Sequence, residues 1–340
     1  MSVKRQVDRT SHVANTNPIA VNDGPLKWYA VGDSYTAGPG AGADYDEDRK
    51  CTRNKGSYVI QLEKDHPNYE LDFLACSGYV AQETLEKTAP VLQQDWADFM
   101  VMTLGGNDIK FSEIAIDCLV RPGLIFHRSA CADTIKRAQL AIAAPKLEND
   151  IHAVYDALFA KMKDDEFHQV YHIFYHRFFN AEDPWCDDKS LNNYGYPKLT
   201  QSLREELNAL SDLLNSRLGD IVTSYTQKQA LKPSWQHGAR LIGLNPDKQT
   251  RSDGSTYGLF DGHRFCEPGS TEVENDNVWL FGTLDSDALQ KYDFKEFWDL
   301  PEKVTSSFHP KTAGFGAIKG MLEESLGKNR PKLVQPFETS

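Results

Sequence analysis

Several common signatures are missing from this 340-residue chain, and each absence closes a function class. No apolar run reaches the ~18 residues that a membrane-spanning helix requires. Basic charge is not in excess: 49 acidic against 37 basic side chains leave a formal charge of −12. That balance argues against a nucleic-acid partner, because phosphate binding needs a basic surface. The six cysteines contain no C-x-x-C pair, so zinc-ribbon and thioredoxin-like readings have no footing. No Asn-x-Ser/Thr acceptor occurs, and Met1–Pro25 is too polar to be a signal peptide. The Gly-x-Ser-x-Gly elbow of α/β-hydrolases is also lacking, since Thr36 stands where its second glycine would be.

What is present describes a globular protein with a substantial core: 40% hydrophobic, 11% aromatic and 25% charged residues. Cysteines 51, 76, 118, 131, 186 and 266 form an even set, which favours disulfides and hence a secretory origin. Six thiols allow 15 complete pairings, and spacing does not choose among them. Each bridge is worth roughly 3–4 kcal/mol in a chain-entropy model. Lys4-Arg5 reads either as a dibasic processing site after a removed leader or as a polar start.

Residues 1–25 lack periodicity and read as a flexible arm ahead of one domain over 26–328, with a tail at 329–340. Strands are expected at Trp28–Val31, Leu71–Ala75, Asp98–Leu104, Val170–Phe179 and around Tyr257–Phe260. Helices are expected between them, the clearest over Leu199–Tyr225, where leucines recur at three- and four-residue steps as a core-facing stripe. The alternation implies an α/β three-layer sandwich with a central parallel sheet of about five strands. No internal repeat and no second domain boundary are visible.

The first three strands end on chemically useful groups: Ser34 in Gly32-Asp33-Ser34, Gly78 after Cys76-Ser77, and Asn107 in Gly105-Gly106-Asn107-Asp108. Far downstream, His309 precedes Pro310 and a final helix. The carboxyl ends of parallel strands share one edge, so these positions can converge there. Their chemistry suits acyl transfer. A serine hydroxyl is a weak nucleophile until a base takes its proton, and histidine suits that task near neutral pH. The N–H groups of Ser34 and Gly78 and the Asn107 amide would receive the oxyanion of a tetrahedral intermediate.

The four motifs in this order resemble the SGNH (GDSL-type) serine hydrolases, and the resemblance runs from Ser34 to His309. Within that family the texture is similar to a secreted three-disulfide lipase and esterase subgroup. The resemblance implies sequential pairing: Cys51–Cys76, Cys118–Cys131 and Cys186–Cys266. It also implies a Ser34 acyl-enzyme, His309 as base and then acid, and no cofactor. One departure is plain. The family places an Asp three residues before the histidine, and here that position is Ser306. A dyad is therefore expected, with the Ser306 backbone carbonyl accepting from His309 Nδ1–H; the alternative is Asp293 or Asp299 folding back as the acid.

Other residues have plainer readings. Asp33 is expected to bond within its own turn, and Asp108 to brace the loop that aims Asn107. His172 and His176 share a strand face without completing H-E-x-x-H, so no metal site is expected. Asp44, Asp46, Glu47 and Asp48 lack the spacing of a calcium loop and read as solvated. The expectation is a secreted, monomeric carboxylic ester hydrolase acting on small-molecule, lipid or polysaccharide esters. The alternatives are a carbohydrate O-acetyl esterase and a non-catalytic binding protein on the same fold.

Overall fold

The computed structural model describes residues 25–47, 50–120, 127–162, 168–191, 195–232, 235, 239–268, 277–282 and 306–329. The N-terminal arm, the C-terminal tail from 330, and the alternative acids Asp293 and Asp299 lie outside the described residues.

Five parallel strands form the central sheet: β1 (Leu26–Gly32), β2 (Tyr69–Phe73), β3 (Phe99–Thr103), β4 (Gln169–Ile173) and β5 (Arg240–Leu244), in the order β2-β1-β3-β4-β5. Every residue of β3 and β4 is buried, as expected for central strands covered on both faces. Trp28 of β1 is the register partner of Phe99 of β3, and their rings stack with centroids 5.3 Å apart.

The first crossover helix, α2 (Tyr58–Asp65), packs with the last helix, α8 (Thr312–Asn329). Gln61 of α2 donates to the Thr312 carbonyl at 3.0 Å. The chain reverses its direction across the sheet after β2, and a right-handed crossover then places the later connections on the opposite face. These include α3 (Ala81–Glu83), α4 (Phe111–Ala115), α5 (His127–Ala143), α6 (Pro145–Phe159) and α7 (Gln201–Gln229). Thr200 caps α7 by accepting from the Leu203 N–H, and the helix buries Leu207, Leu210, Leu214, Leu218 and Ile221, the expected core stripe.

The reversal leaves β1 at the point where strand order changes direction. A crevice opens there beyond the carboxyl ends of β1 and β3. Ser34 follows β1 and Asn107 follows β3.

Two expected strands are corrected. The fifth sheet strand is Arg240–Leu244, while Tyr257 belongs to a short antiparallel hairpin, β6 (Gln249–Thr250) with β7 (Thr256–Tyr257). Strand β4 stops at Ile173, and residues 174–179 leave the ladder. Side chains of α7 pair that irregular stretch instead. Asn215 accepts from the Tyr175 N–H at 3.1 Å and donates to its carbonyl at 2.6 Å, and Asn208 treats Phe179 the same way at 3.2 and 2.8 Å.

Three disulfides close the expected loops: Cys51–Cys76, Cys118–Cys131 and Cys186–Cys266. The first ties the loop after Ser34 to the segment leading into Gly78. No helix among the described residues is long and apolar enough to cross a membrane.

Candidate active site

The turn that presents Ser34 depends on Gly32. Its backbone sits at φ +99°, and a Cβ there would lie 2.1 Å from the Thr103 carbonyl oxygen of β3, so no other residue fits. Asp33 follows and caps a single helical turn, α1 (Ser34–Ala37), accepting from the Tyr35 N–H at 3.0 Å. Ser34 is the first residue of that turn, so its own N–H has no partner within it.

Gly78 lies in a turn at φ +79°, held through Ser77, whose N–H donates to the Cys51 carbonyl at 3.1 Å. Asn107 lies in the turn after β3, and its Nδ2 donates to the Tyr79 carbonyl at 3.1 Å. An amide nitrogen carries two protons, so a second donor remains. Asp108 accepts from the Ala81 N–H at 3.1 Å, a second bond between the Asn107 loop and the Gly78 segment. Its expected bracing role therefore acts across two loops. Burial raises its carboxyl pKa to about 6.

His309 Nε2 lies 2.7 Å from Ser34 Oγ. Phe308, before it, takes a left-handed backbone at φ +67° and is fastened on both sides. Its N–H donates to the Phe281 carbonyl at 2.7 Å, and its carbonyl accepts from the Tyr35 hydroxyl at 3.0 Å. The Tyr35 ring packs against the imidazole, centroids 4.8 Å apart. The imidazole Nδ1 meets the Ser307 carbonyl at 3.0 Å. That corrects the expected acceptor by one residue: the Ser306 carbonyl takes the His309 backbone N–H at 3.0 Å. The left-handed turn at Phe308 swings the ring toward the nearer carbonyl. Burial drives the imidazole pKa down to about 4, with the Ser307 and Ser306 carbonyls opposing the fall.

Ser34, Gly78, Asn107 and His309 line one cavity, with Tyr35, Phe111 and Tyr175 in its wall. A second cavity shares Gly106, Phe111 and Tyr175 with it and is otherwise almost wholly apolar. Ile109, Ile114, Leu119, Leu207, Leu210 and Leu214 are among its lining.

Tyr35 and Tyr175 were not visible as site residues in the sequence, because nothing in their spacing separates them from core aromatics. Neither His172 nor His176 reaches the crevice lining. His172 bonds the Tyr155 hydroxyl (2.6 Å) and the Leu104 carbonyl (3.0 Å), and the His176 ring stacks on Phe260. Among the described residues, no cluster of three or more His, Cys, Asp or Glu side chains could hold a metal ion.

The GDSL-like lipase/acylhydrolase family profile matches residues 30–218, more than half of the chain. A lipase of Streptomyces rimosus is 26% identical over 226 residues, covering 63% of this chain and 77% of that one. Lipase 1 of Streptomyces coelicolor is 24% identical over 243 residues, covering 68% and 83%. Among solved structures, the phospholipase A1 of Streptomyces albidoflavus superposes with a TM-score of 0.61 at 21% identity, covering 88% of this chain and 99% of that one. The extracellular lipase of Streptomyces rimosus superposes with a TM-score of 0.60 at 23% identity and the same coverage. On the family match the chain belongs to the GDSL-like lipase/acylhydrolase family of ester hydrolases.

Proposed function

We propose that the protein is a secreted hydrolase of carboxylic esters with acyl chains longer than acetate, working through an acyl-enzyme on Ser34. The observation that carries the mechanism is the 2.7 Å contact between His309 Nε2 and Ser34 Oγ, inside hydrogen-bond reach for a base and its nucleophile. As Ser34 Oγ bonds to the acyl carbon, its proton passes to Nε2. The Ser34 and Gly78 N–H groups and Asn107 Nδ2 receive the oxyanion. The intermediate collapses when imidazolium returns the proton to the leaving alcohol, and a water molecule repeats the sequence to free the acid. The Ser307 carbonyl holds Nδ1–H and so fixes the tautomer. Being neutral, it stabilises imidazolium less than a carboxylate would.

The apolar cavity beside the nucleophile supports the preference for longer chains, since an acetyl group has nothing to bury there. Three disulfides support export, because such bridges persist in oxidising compartments.

A series of p-nitrophenyl esters from acetate to palmitate tests the reading, followed by emulsified triglyceride against acetylated polysaccharide. Each buried methylene is worth up to ~0.8 kcal/mol, about fourfold in kcat/KM, until the cavity is full. Release of acetate from the polysaccharide, with no turnover of longer chains, would replace this reading with an O-acetyl esterase.

A further inference from the structure

We propose that Tyr175 is a positioning residue that sets the span between the Ser34 nucleophile and the Asn107 oxyanion donor. The proposal rests on the roles given to those two residues in the preceding subsection.

The Tyr175 hydroxyl sits between the two strand ends that carry the chemistry. It donates to Asp33 Oδ2 at 2.5 Å and accepts from the Gly106 N–H at 2.8 Å. Asp33 immediately precedes Ser34, and Gly106 immediately precedes Asn107. One phenol oxygen thus ties both residues, one step beyond the last backbone bond between the two strands, from the Asp33 N–H to the Thr103 carbonyl at 3.0 Å. The Gly106 N–H, spent on Tyr175, is withdrawn from the oxyanion, which leaves the side-chain amide of Asn107 as that loop's donor.

The surroundings hold the phenol in place. Asn215 of α7 pairs the Tyr175 N–H and carbonyl, and the Tyr35 ring meets the Tyr175 ring edge-on at 5.1 Å. On the far side, Asp33 also accepts from Thr103 Oγ1 at 2.5 Å and from the Tyr35 N–H at 3.0 Å, so its carboxyl cannot swing to follow a displaced phenol. Space at Gly106 is fully used: a Cβ there would lie 2.9 Å from Tyr175 Cζ and 3.0 Å from its hydroxyl oxygen. A catalytic donor that is misplaced by an ångström loses up to about 10² in rate. Losing the phenol oxygen removes the Asp33 and Gly106 bonds together, leaving Asp33 to Thr103 and the Tyr35 N–H and leaving the Gly106 N–H without this acceptor.

Steady-state kinetics of Tyr175→Phe, alone and combined with Asn107→Ala, provide the test. The expected result is a fall in kcat of about 10- to 100-fold at nearly constant KM in the wild-type background. In the Asn107→Ala background the same change should cost less than about threefold, because the donor it positions is gone. Gly106→Ala disturbs the same contact from the other loop and should reproduce the loss, so it carries the test should Tyr175→Phe fail to fold. Two outcomes overturn the proposal: kcat within about threefold of wild type for a folded variant, or equal losses with and without Asn107. Fluorophosphonate labelling of the wild-type enzyme keeps the two readings apart. Labelling at Ser34 with unaffected Tyr175→Phe and Gly106→Ala variants sinks only the positioning role, whereas an unlabelled Ser34 removes the catalytic reading beneath it.

Discussion

His309 Nε2 and Ser34 Oγ lie 2.7 Å apart although 275 residues separate them in the chain. The imidazole is buried at that contact, and burial alone sets the sign of its pKa shift, from the ordinary 6.5 down to about 4. A base must be unprotonated to accept the Ser34 proton. Neutral imidazole therefore persists to lower pH than in water, and kcat/KM should stay level from pH 8 to about 5. It should then fall with a midpoint near 4. Asp108, with its carboxyl near 6, is a second group beside the site that titrates within this range. Running the profile on Asp108→Asn separates the two, since a limb due to His309 survives that change. A midpoint near 6.5 in both proteins would contradict the buried-imidazole account.

Asn107→Ala should lower kcat by about 10²–10³ while KM changes little, the usual cost of losing one oxyanion donor. The change also removes the bond to the Tyr79 carbonyl, so a small fall in melting temperature is expected with it. A fall in kcat of less than about threefold would remove Asn107 from the oxyanion hole.

Asp247 gives a prediction about stability. It is half-buried and accepts from the Arg177 N–H at 2.6 Å, and desolvation raises its carboxyl pKa from the ordinary 3.8 to about 7, with the Arg177 bond opposing. The folded protein thus holds a proton there that the unfolded chain has released. Its contribution is fully present below pH 4 and is lost as pH rises through about 7. An asparagine keeps an acceptor for Arg177 and never ionises. The melting temperature of Asp247→Asn minus that of wild type should therefore increase from pH 5 to pH 8. A difference that stays flat or declines over that interval contradicts the assignment.

Much of this site was legible because its groups sit where strands end, and strand ends are marked locally. Trp28–Val31 is apolar, Gly32 permits the turn, and Ser34 follows; the same grammar marks Gly78 and Asn107. The features that escaped depend on contacts between distant segments. Strand β5 lies at the sheet edge with only Leu241 of its five residues buried, and its Gly243 makes room for the Phe174 ring. Such a strand lacks the continuous apolar run of a central one. Residues 174–179 have strand composition, yet Asn215 and Asn208 pair their backbone, and periodicity carries no sign of a clamp from a helix. The one-residue difference between the Ser306 and Ser307 carbonyls comes from a left-handed Phe308, a conformation that the residue type does not announce.

The central claim is that Ser34, activated by His309, becomes covalently acylated during turnover. Treatment with an alkyl fluorophosphonate followed by peptide mass spectrometry measures this directly. The account predicts one modification per chain, on the peptide containing Ser34, appearing in step with loss of ester hydrolysis. Ser34→Ala should lack both label and hydrolysis while its melting temperature stays close to wild type. Hydrolysis that survives in Ser34→Ala, or a label that settles on another residue as activity disappears, would contradict it.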